Sequence, residues 1–322
     1  MDIMILDNTP RLRRSAGFRK KSHYRKSMMR RLPEAQLVWQ LLPDADEAAA
    51  VDCDQLVKYP VDVAFIDENI FAVADSEGHK IVVFNIKTLE WSQIGTEKVW
   101  PNAIAATPDK NIVVTDRKRK ACVTYDLEGR LLSSWDVYIP EDVEEGYETP
   151  CYPHGVTVTK NGDVAVTDTG THSVKIFTSE GELLKEFGAK GTDIWELRLP
   201  FFCATNNSDN IVVSDNMNYC VKIFDRTGNC LSQIGSGQDW GQRRFECPYG
   251  VCADLEDNIV VADYETNRVS LFHQNGRFIR HLLTKGDKCN SPCGVAVGPC
   301  GHLVVTESNL DYNNIKVYKI YE

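Results

Sequence analysis

The hydrophobic and polar positions of this chain fall into short runs, most plainly over residues 247–283: CPYGVCADLEDNIVVADYETNRVSLFHQNGRFIRHLL. Four apolar runs, VCAD, NIVVAD, RVSLF and RFIRHLL, are separated by LED, YETN and HQNG. Each run alternates or is β-branched and is bounded by Asp, Asn or Gly, which predicts an antiparallel meander of four strands joined by tight turns. One such sheet cannot bury both of its faces, so the unit requires neighbours of its own kind.

Six copies are present. A proline opening the first strand and an acid closing the second recur as Pro60/Asp75, Pro101/Asp116, Pro153/Asp168, Pro200/Asp215, Pro248/Asp263 and Pro292/Glu307, always 15 residues apart. An aromatic follows nine residues after the acid in five units (Phe84, Tyr125, Phe177, Phe224, Phe272) and eleven after it in the sixth, at Tyr318. Gly129, Gly181, Gly228 and Gly276 come four residues later, where a turn with positive φ is expected. Successive acids lie 41, 52, 47, 48 and 44 residues apart, the size of a propeller blade. The first strands are rich in small residues (NAIAA at 102–106, GVTV at 155–158, GVCA at 250–253, GVAV at 294–297), as crowding at one axis demands.

The pattern P-x-G-V, V-x-D, N-x-V and F-x-x-x-G, clearest at Asn267–Val269 and in the VVAD, VVSD and AVTD segments, resembles the NHL repeat. The chain is similar to the six-bladed NHL propeller at the C-terminal end of tripartite-motif proteins. That resemblance implies an all-β, six-bladed β-propeller of four-stranded antiparallel blades over residues 35–322. The blades are expected near 59–95, 100–136, 152–188, 199–235, 247–283 and 291–322. The last has only three strands of its own, and Gln36–Leu42 reads like a fourth strand, so the N-terminal strand is expected to complete it and lock the ring.

Composition changes this picture at one end. Residues 1–34 hold ten Lys/Arg against three acids, leaving 26 basic and 43 acidic residues, a net of −17, over 35–322. The first segment lacks apolar periodicity and is expected to be a disordered basic tail with three basic-basic-Ser triplets, either a nuclear-import or nucleic-acid arm or a solvated leader. No apolar run approaches the ~20 residues of a membrane helix, and no membrane partner is expected. The opening residues lack a signal-peptide pattern. Several of the eleven cysteines fall inside strands, so reduced thiols and a cytoplasmic or nuclear location are expected.

Strand parity gives the candidate site. In a four-strand meander the loop between the second and third strands shares a rim with the blade-to-blade connection, and this rim is called the top here. Around the prolines it carries Tyr59, Trp100, Asn102, Tyr152, His154, Phe201 and Tyr249. The second-to-third-strand loops add Arg117, Lys118, Arg119, Lys120, His172, Asn216, Asn218, Asn267 and Arg268. Aromatics interleaved with basic and amide groups suit an extended peptide or stacked bases. The same rings, Trp100 and Tyr152 above all, also suit wedges between blades. Two long acidic connections, at 43–60 and 136–153, would repel phosphates or attract a basic segment.

Catalytic chemistry finds little support. The position after each opening proline reads Val61, Asn102, His154, Phe201, Tyr249 and Cys293, one histidine where a zinc site would need three. The spacing of Cys289, Cys293 and Cys300 matches no usual zinc pattern, and neither a Gly-rich phosphate loop nor a nucleophile motif stands out. The six acids repeat in every blade and are read as caps on their own turns. The expectation is therefore a non-catalytic scaffold with no cofactor, no metal and no small-molecule substrate. A protein or peptide partner is favoured, as in a substrate-recognition module linked to ubiquitin ligation. Single-stranded RNA is the alternative, as several propellers of the resembled family bind it.

Overall fold

The computed structural model describes residues 31–41, 56–94, 99–137, 151–235 and 245–322. They form six four-stranded antiparallel sheets arranged as a propeller. A first strand, β1 (Arg31–Gln40), precedes the blades. Blade one is β2 (Pro60–Phe65), β3 (Ile70–Asp75), β4 (Lys80–Asn85) and β5 (Trp91–Ile94). Blade two is β6 (Pro101–Ala106), β7 (Ile112–Asp116), β8 (Ala121–Tyr125) and β9 (Leu131–Asp136). Blade three is β10 (Pro153–Val158), β11 (Val164–Asp168), β12 (Ser173–Phe177) and β13 (Leu183–Phe187). Blade four is β14 (Pro200–Thr205), β15 (Ile211–Asp215), β16 (Cys220–Phe224) and β17 (Cys230–Ile234). Blade five is β18 (Pro248–Ala253), β19 (Ile259–Asp263), β20 (Arg268–Phe272) and β21 (Phe278–Leu283). Blade six is β22 (Pro292–Val297), β23 (His302–Ser308) and β24 (Asn313–Tyr321), completed on its outer edge by β1, which pairs antiparallel with β24.

The completing strand starts at Arg31 and ends at Gln40, earlier than the Gln36–Leu42 read from the sequence, with Gln36 opposite Lys319 and Trp39 opposite Val317. The basic residues 1–30 and the acidic stretches 42–55 and 138–150 lie outside the described residues, as do Arg243 and Arg244, a further basic pair that counts in the sequence toward the RNA alternative.

The fixed 15-residue spacing has a geometric cause. Strand two retraces strand one, so the closing acid ends directly opposite the opening proline in all six blades, from Pro60↔Asp75 to Pro292↔Glu307. The middle strands are buried almost throughout, as expected of β-branched runs packed between neighbouring blades. Gly129, Gly181, Gly228 and Gly276 have φ between 81° and 91°, as their turns require. At the axis first strands meet backbone to backbone: a Cβ on Gly294 would stand 2.6 Å from the Cα of Asp62.

Polar staples join every blade to the next. The carboxylate of Asp62 accepts from Ile104 N at 2.9 Å, and Thr115 Oγ1 donates to His154 O at 2.7 Å. Thr167 Oγ1 donates to Phe201 O at 2.7 Å, and Asn216 Nδ2 to Pro248 O at 3.2 Å. Ser291 N donates to Asn267 Oδ1 at 2.7 Å, and Ser308 Oγ closes the circle on Pro60 O at 3.0 Å. Buried polar atoms with partners such as these fix the angle between sheets as apolar packing alone does not.

Candidate functional site: the axial mouth of the top face

The acids first read as turn caps do more than that. Asp75 accepts from Gly78 N in its own turn at 3.1 Å, but also from Tyr59 N at 2.8 Å and Lys58 N at 3.0 Å in the chain arriving from the preceding connection. Asp168 likewise takes Tyr152 N, Asp215 takes Arg198 N, Asp263 takes Cys247 N and Glu307 takes Asn290 N. In three blades a buried lysine on the third strand completes the clamp: Lys175 with Asp168 at 3.1 Å, Lys222 with Asp215 at 3.1 Å, and Lys316 with Glu307 at 2.7 Å. In five of the six blades the acid therefore fixes the height at which its own blade's first strand begins, and with it the residue after the opening proline, while Asp116 is bonded to Lys118 N and Arg119 N of its own turn.

Those residues line the mouth, and on one side they form a continuous aromatic arc. His154 stacks on Phe201 with ring centroids 4.6 Å apart and planes 3° from parallel. Phe201 meets Tyr249 edge-on at 5.1 Å, and Tyr249 stacks on Tyr264 at 5.2 Å. Tyr59, at the entry to blade one, lies near enough to Tyr264 for the two phenols to act on each other's ionisation, which brings the arc toward that blade. Phe202 backs it from below, edge-on to His154 at 4.9 Å. Burial pushes the His154 imidazole down to about 4, with a backbone contact to Phe201 opposing and Arg117 reinforcing the shift. It is a neutral ring at physiological pH, and the arc is uncharged.

The other side of the mouth is basic. The loop after β7 presents Arg117, Lys118 and Arg119 exposed, with Lys120 half-buried. Its charges are partly engaged: Lys118 Nζ lies over Trp100 at 5.3 Å, Lys120 Nζ over Tyr152 at 5.4 Å, and Arg119 reaches Asp116 at 3.7 Å. Trp100 is itself packed on His79 at 4.1 Å, so it is in part a wedge, whereas Tyr152 is 50% exposed and stands as a ring open to solvent. Asn102, after the opening proline of this same blade, is buried.

Four residues read as surface amides and imidazoles are tied into the frame instead. Asn216 and Asn267 are the staples between blades four and five and between five and six. His172 Nδ1 accepts from Leu199 N at 3.0 Å, bracing the connection into blade four. Asn218 holds Asp215 at 2.7 Å and Gly191 O at 2.9 Å. Arg268 remains exposed. Tyr264 was missed by the sequence reading, although it occupies the position just after the clamp acid that supplied Arg117 and Asn216. Among the described residues no three His, Cys, Asp or Glu side chains converge to hold a metal ion, and no helix is long and apolar enough to cross a membrane.

The NHL repeat model matches residues 151–177. Human NHL-repeat-containing protein 4 is 37% identical over 99 residues, covering 31% of this chain and 74% of that protein. Human E3 ubiquitin-protein ligase NHLRC1 is 32% identical over 158 residues, covering 47% of this chain and 38% of the ligase. A probable peptidyl-alpha-hydroxyglycine alpha-amidating lyase of Caenorhabditis elegans, pgal-1, is 32% identical over 154 residues, 45% of this chain and 41% of the lyase. The match thus spans about two fifths of the ligase's length and of the lyase's. Among solved structures, a gluconolactonase from Xanthomonas campestris superposes with a TM-score of 0.61 at 14% identity, covering 91% of this chain and 98% of the other. Proteins similar to this chain in sequence or in fold therefore include a ubiquitin ligase, a probable lyase and a gluconolactonase.

Proposed function

This chain belongs to the NHL-repeat family of β-propellers, and we propose that its top face is the recognition surface of a non-catalytic scaffold that binds an extended segment of a protein partner. The observation that carries this reading is the uncharged arc His154–Phe201–Tyr249–Tyr264, contributed by blades three, four and five, with Tyr59 of blade one near its end. Rings held against one another by the fold lose little freedom on binding, so their contact area is available for affinity. With the basic loop of blade two across the mouth, the surface suits a peptide with apolar or aromatic side chains on the arc and an acidic residue toward Arg117 and Lys118. The likeness to a ubiquitin ligase supports a narrower form, in which the bound segment marks a protein for ubiquitination by a ligase.

Single-stranded RNA is the second reading, favoured by the stacked rings beside a basic loop. Against it stand the −17 net charge over residues 35–322 and a His154 that adds no positive charge, since phosphate binding draws on concentrated positive surface. The test is selection on the immobilised full chain, with a random peptide library and a random single-stranded RNA pool in parallel at two salt concentrations. A peptide motif that survives moderate salt and is lost with Tyr249→Ala supports the scaffold. An RNA motif lost with the same substitution, alongside no peptide enrichment, overturns it.

A further inference from the structure

The connection from β13 to β14, residues 188–199, is held as firmly as a strand pair. Leu197 N donates to Ala189 O at 2.8 Å, Gly191 N to Leu197 O at 3.2 Å, and Asp193 N to the Glu196 carboxylate at 2.9 Å. From inside blade four, Lys222 donates to Asp193 O at 2.9 Å and to Glu196 O while pairing with Asp215. Leu197 beneath is fully buried. Yet the tip of this braced loop turns two consecutive large apolar side chains outward: Ile194 is 55% exposed and Trp195 52% exposed, with Asp193 and Glu196 on either side. Scattered exposed apolar residues need no explanation, but an Ile–Trp pair on a backbone that cannot fold it away is built as a contact.

At the opposite rim of the same two blades lies a cleft of about 300 Å³ lined by Ile176, Leu184, Lys185, Arg226 and Thr227. Leu184 is 49% exposed and Lys185 is exposed beside it, while Arg226 is oriented by Asp163. The cleft has an apolar wall and a basic edge, and the loop tip has an apolar pair and acidic flanks. Each is the complement of the other, and the cleft has room for one indole.

We propose that these are the two halves of a self-association contact: the Ile194–Trp195 tip of one copy seats in the Leu184 cleft of a second copy, with Asp193 facing Lys185 across the contact. Tip and cleft are different surfaces on opposite rims of one sector. The contact is therefore heterologous, and each copy offers its tip to one neighbour and its cleft to another, so copies join in an open row. Burying an indole of roughly 150–250 Å² supplies the apolar part, and the acid–lysine pair sets direction and partner choice.

Sedimentation of the full chain over a range of concentrations tests this, with Trp195→Glu (tip broken, cleft intact) and Leu184→Glu (cleft broken, tip intact). The wild type is expected to form species that grow with concentration. Each variant alone is expected to stay monomeric with an unchanged melting temperature, because both side chains face solvent. Mixed together, the two variants are expected to give one-to-one dimers that grow no further. Lys185→Glu is expected to weaken association about tenfold, and adding Asp193→Lys in the same chain to restore it. A wild type that is monomeric at every concentration reached, single variants that assemble as the wild type does, or a mixture that stays monomeric overturns the proposal.

Discussion

Two rings of side chains lie close together under the top rim and obey opposite rules. One is the belt of clamp acids, Asp75, Asp116, Asp168, Asp215, Asp263 and Glu307, all buried and at least five of them bonded to backbone N–H groups of the arriving chain. The other is the mouth, Val61, Asn102, His154, Phe201, Tyr249 and Cys293, where no two residues are alike. The belt repeats because its partners are backbone groups, which are the same in every blade. The mouth answers to no such constraint, so its differences are free to carry recognition. Substitutions in the belt should change stability and leave affinity per folded molecule intact, and those in the mouth should do the reverse.

The largest effect is expected in the belt. Asp215→Ala would leave the Lys222 ammonium buried without its carboxylate, with Arg198 N unsatisfied, at a cost of about 3–5 kcal/mol. Denaturant unfolding measures the loss. Adding Lys222→Met should return part of it, because the stranded charge is gone, although Lys222 also holds the 188–199 loop. An Asp215→Ala protein as stable as wild type would remove the belt's structural role.

Asp62, which follows the mouth residue Val61 on β2 and is buried against blade two, adds a pH dependence. Burial pushes its carboxyl up to about 7, with backbone N–H groups of Ile104 and Val63 opposing the shift, against an ordinary 3.8. Between these values the folded protein keeps a proton that the unfolded chain has released. This term therefore lowers stability as pH rises, and its full loss is reached above the folded value. Asp62→Asn removes the term while keeping an oxygen for Ile104 N. The variant should gain on wild type by an amount on the order of a few kcal/mol at pH 8. The gain should shrink toward acid pH in paired unfolding curves, and a pH-independent difference would show that Asp62 is not the titrating group.

In the mouth, Tyr249→Ala should reduce affinity for a selected peptide by at least about tenfold, since the ring links Phe201 to Tyr264 at the middle of the arc. Titration calorimetry on folded protein measures this, with a melting curve as control. If affinity holds while the melting temperature falls, Tyr249 belongs with the belt.

How much of this was legible in the sequence follows the same division. The six blades and the closing strand could be read because register turns a proline and an acid into partners at constant spacing, and the positive-φ glycines follow from the turn geometry. The roles of Asn216 and Asn267 could not be read. Each reaches across to the next blade's opening segment, and a bond between residues 24 to 32 positions apart leaves no local pattern. Tyr264 went unnoticed because it is a single departure at a position filled elsewhere by Ser76, Arg117, Thr169, Asn216 and Ser308. Clamping by the acids was half visible: the bond to the following turn is local, and the bond to the arriving chain is not.

The smallest effect is expected on the basic side of the mouth. Lys118 and Lys120 are exposed or half-exposed cations poised over Trp100 and Tyr152, and such contacts contribute ~0.5–1 kcal/mol at exposed sites. Replacing residues 117–120 by serine should therefore leave the melting temperature nearly unchanged. Its signature lies in ionic strength. If the mouth holds a peptide, the loop contributes one or two screened charge pairs, and affinity should fall a few-fold at low salt and hardly at all at high salt. If it holds RNA, each lost phosphate contact should flatten the salt dependence by about one unit of slope. A salt series on the serine variant thus separates the two occupants even when a single-condition affinity does not. It also asks whether the mouth's two sides act independently, as an uncharged arc facing a charged loop implies.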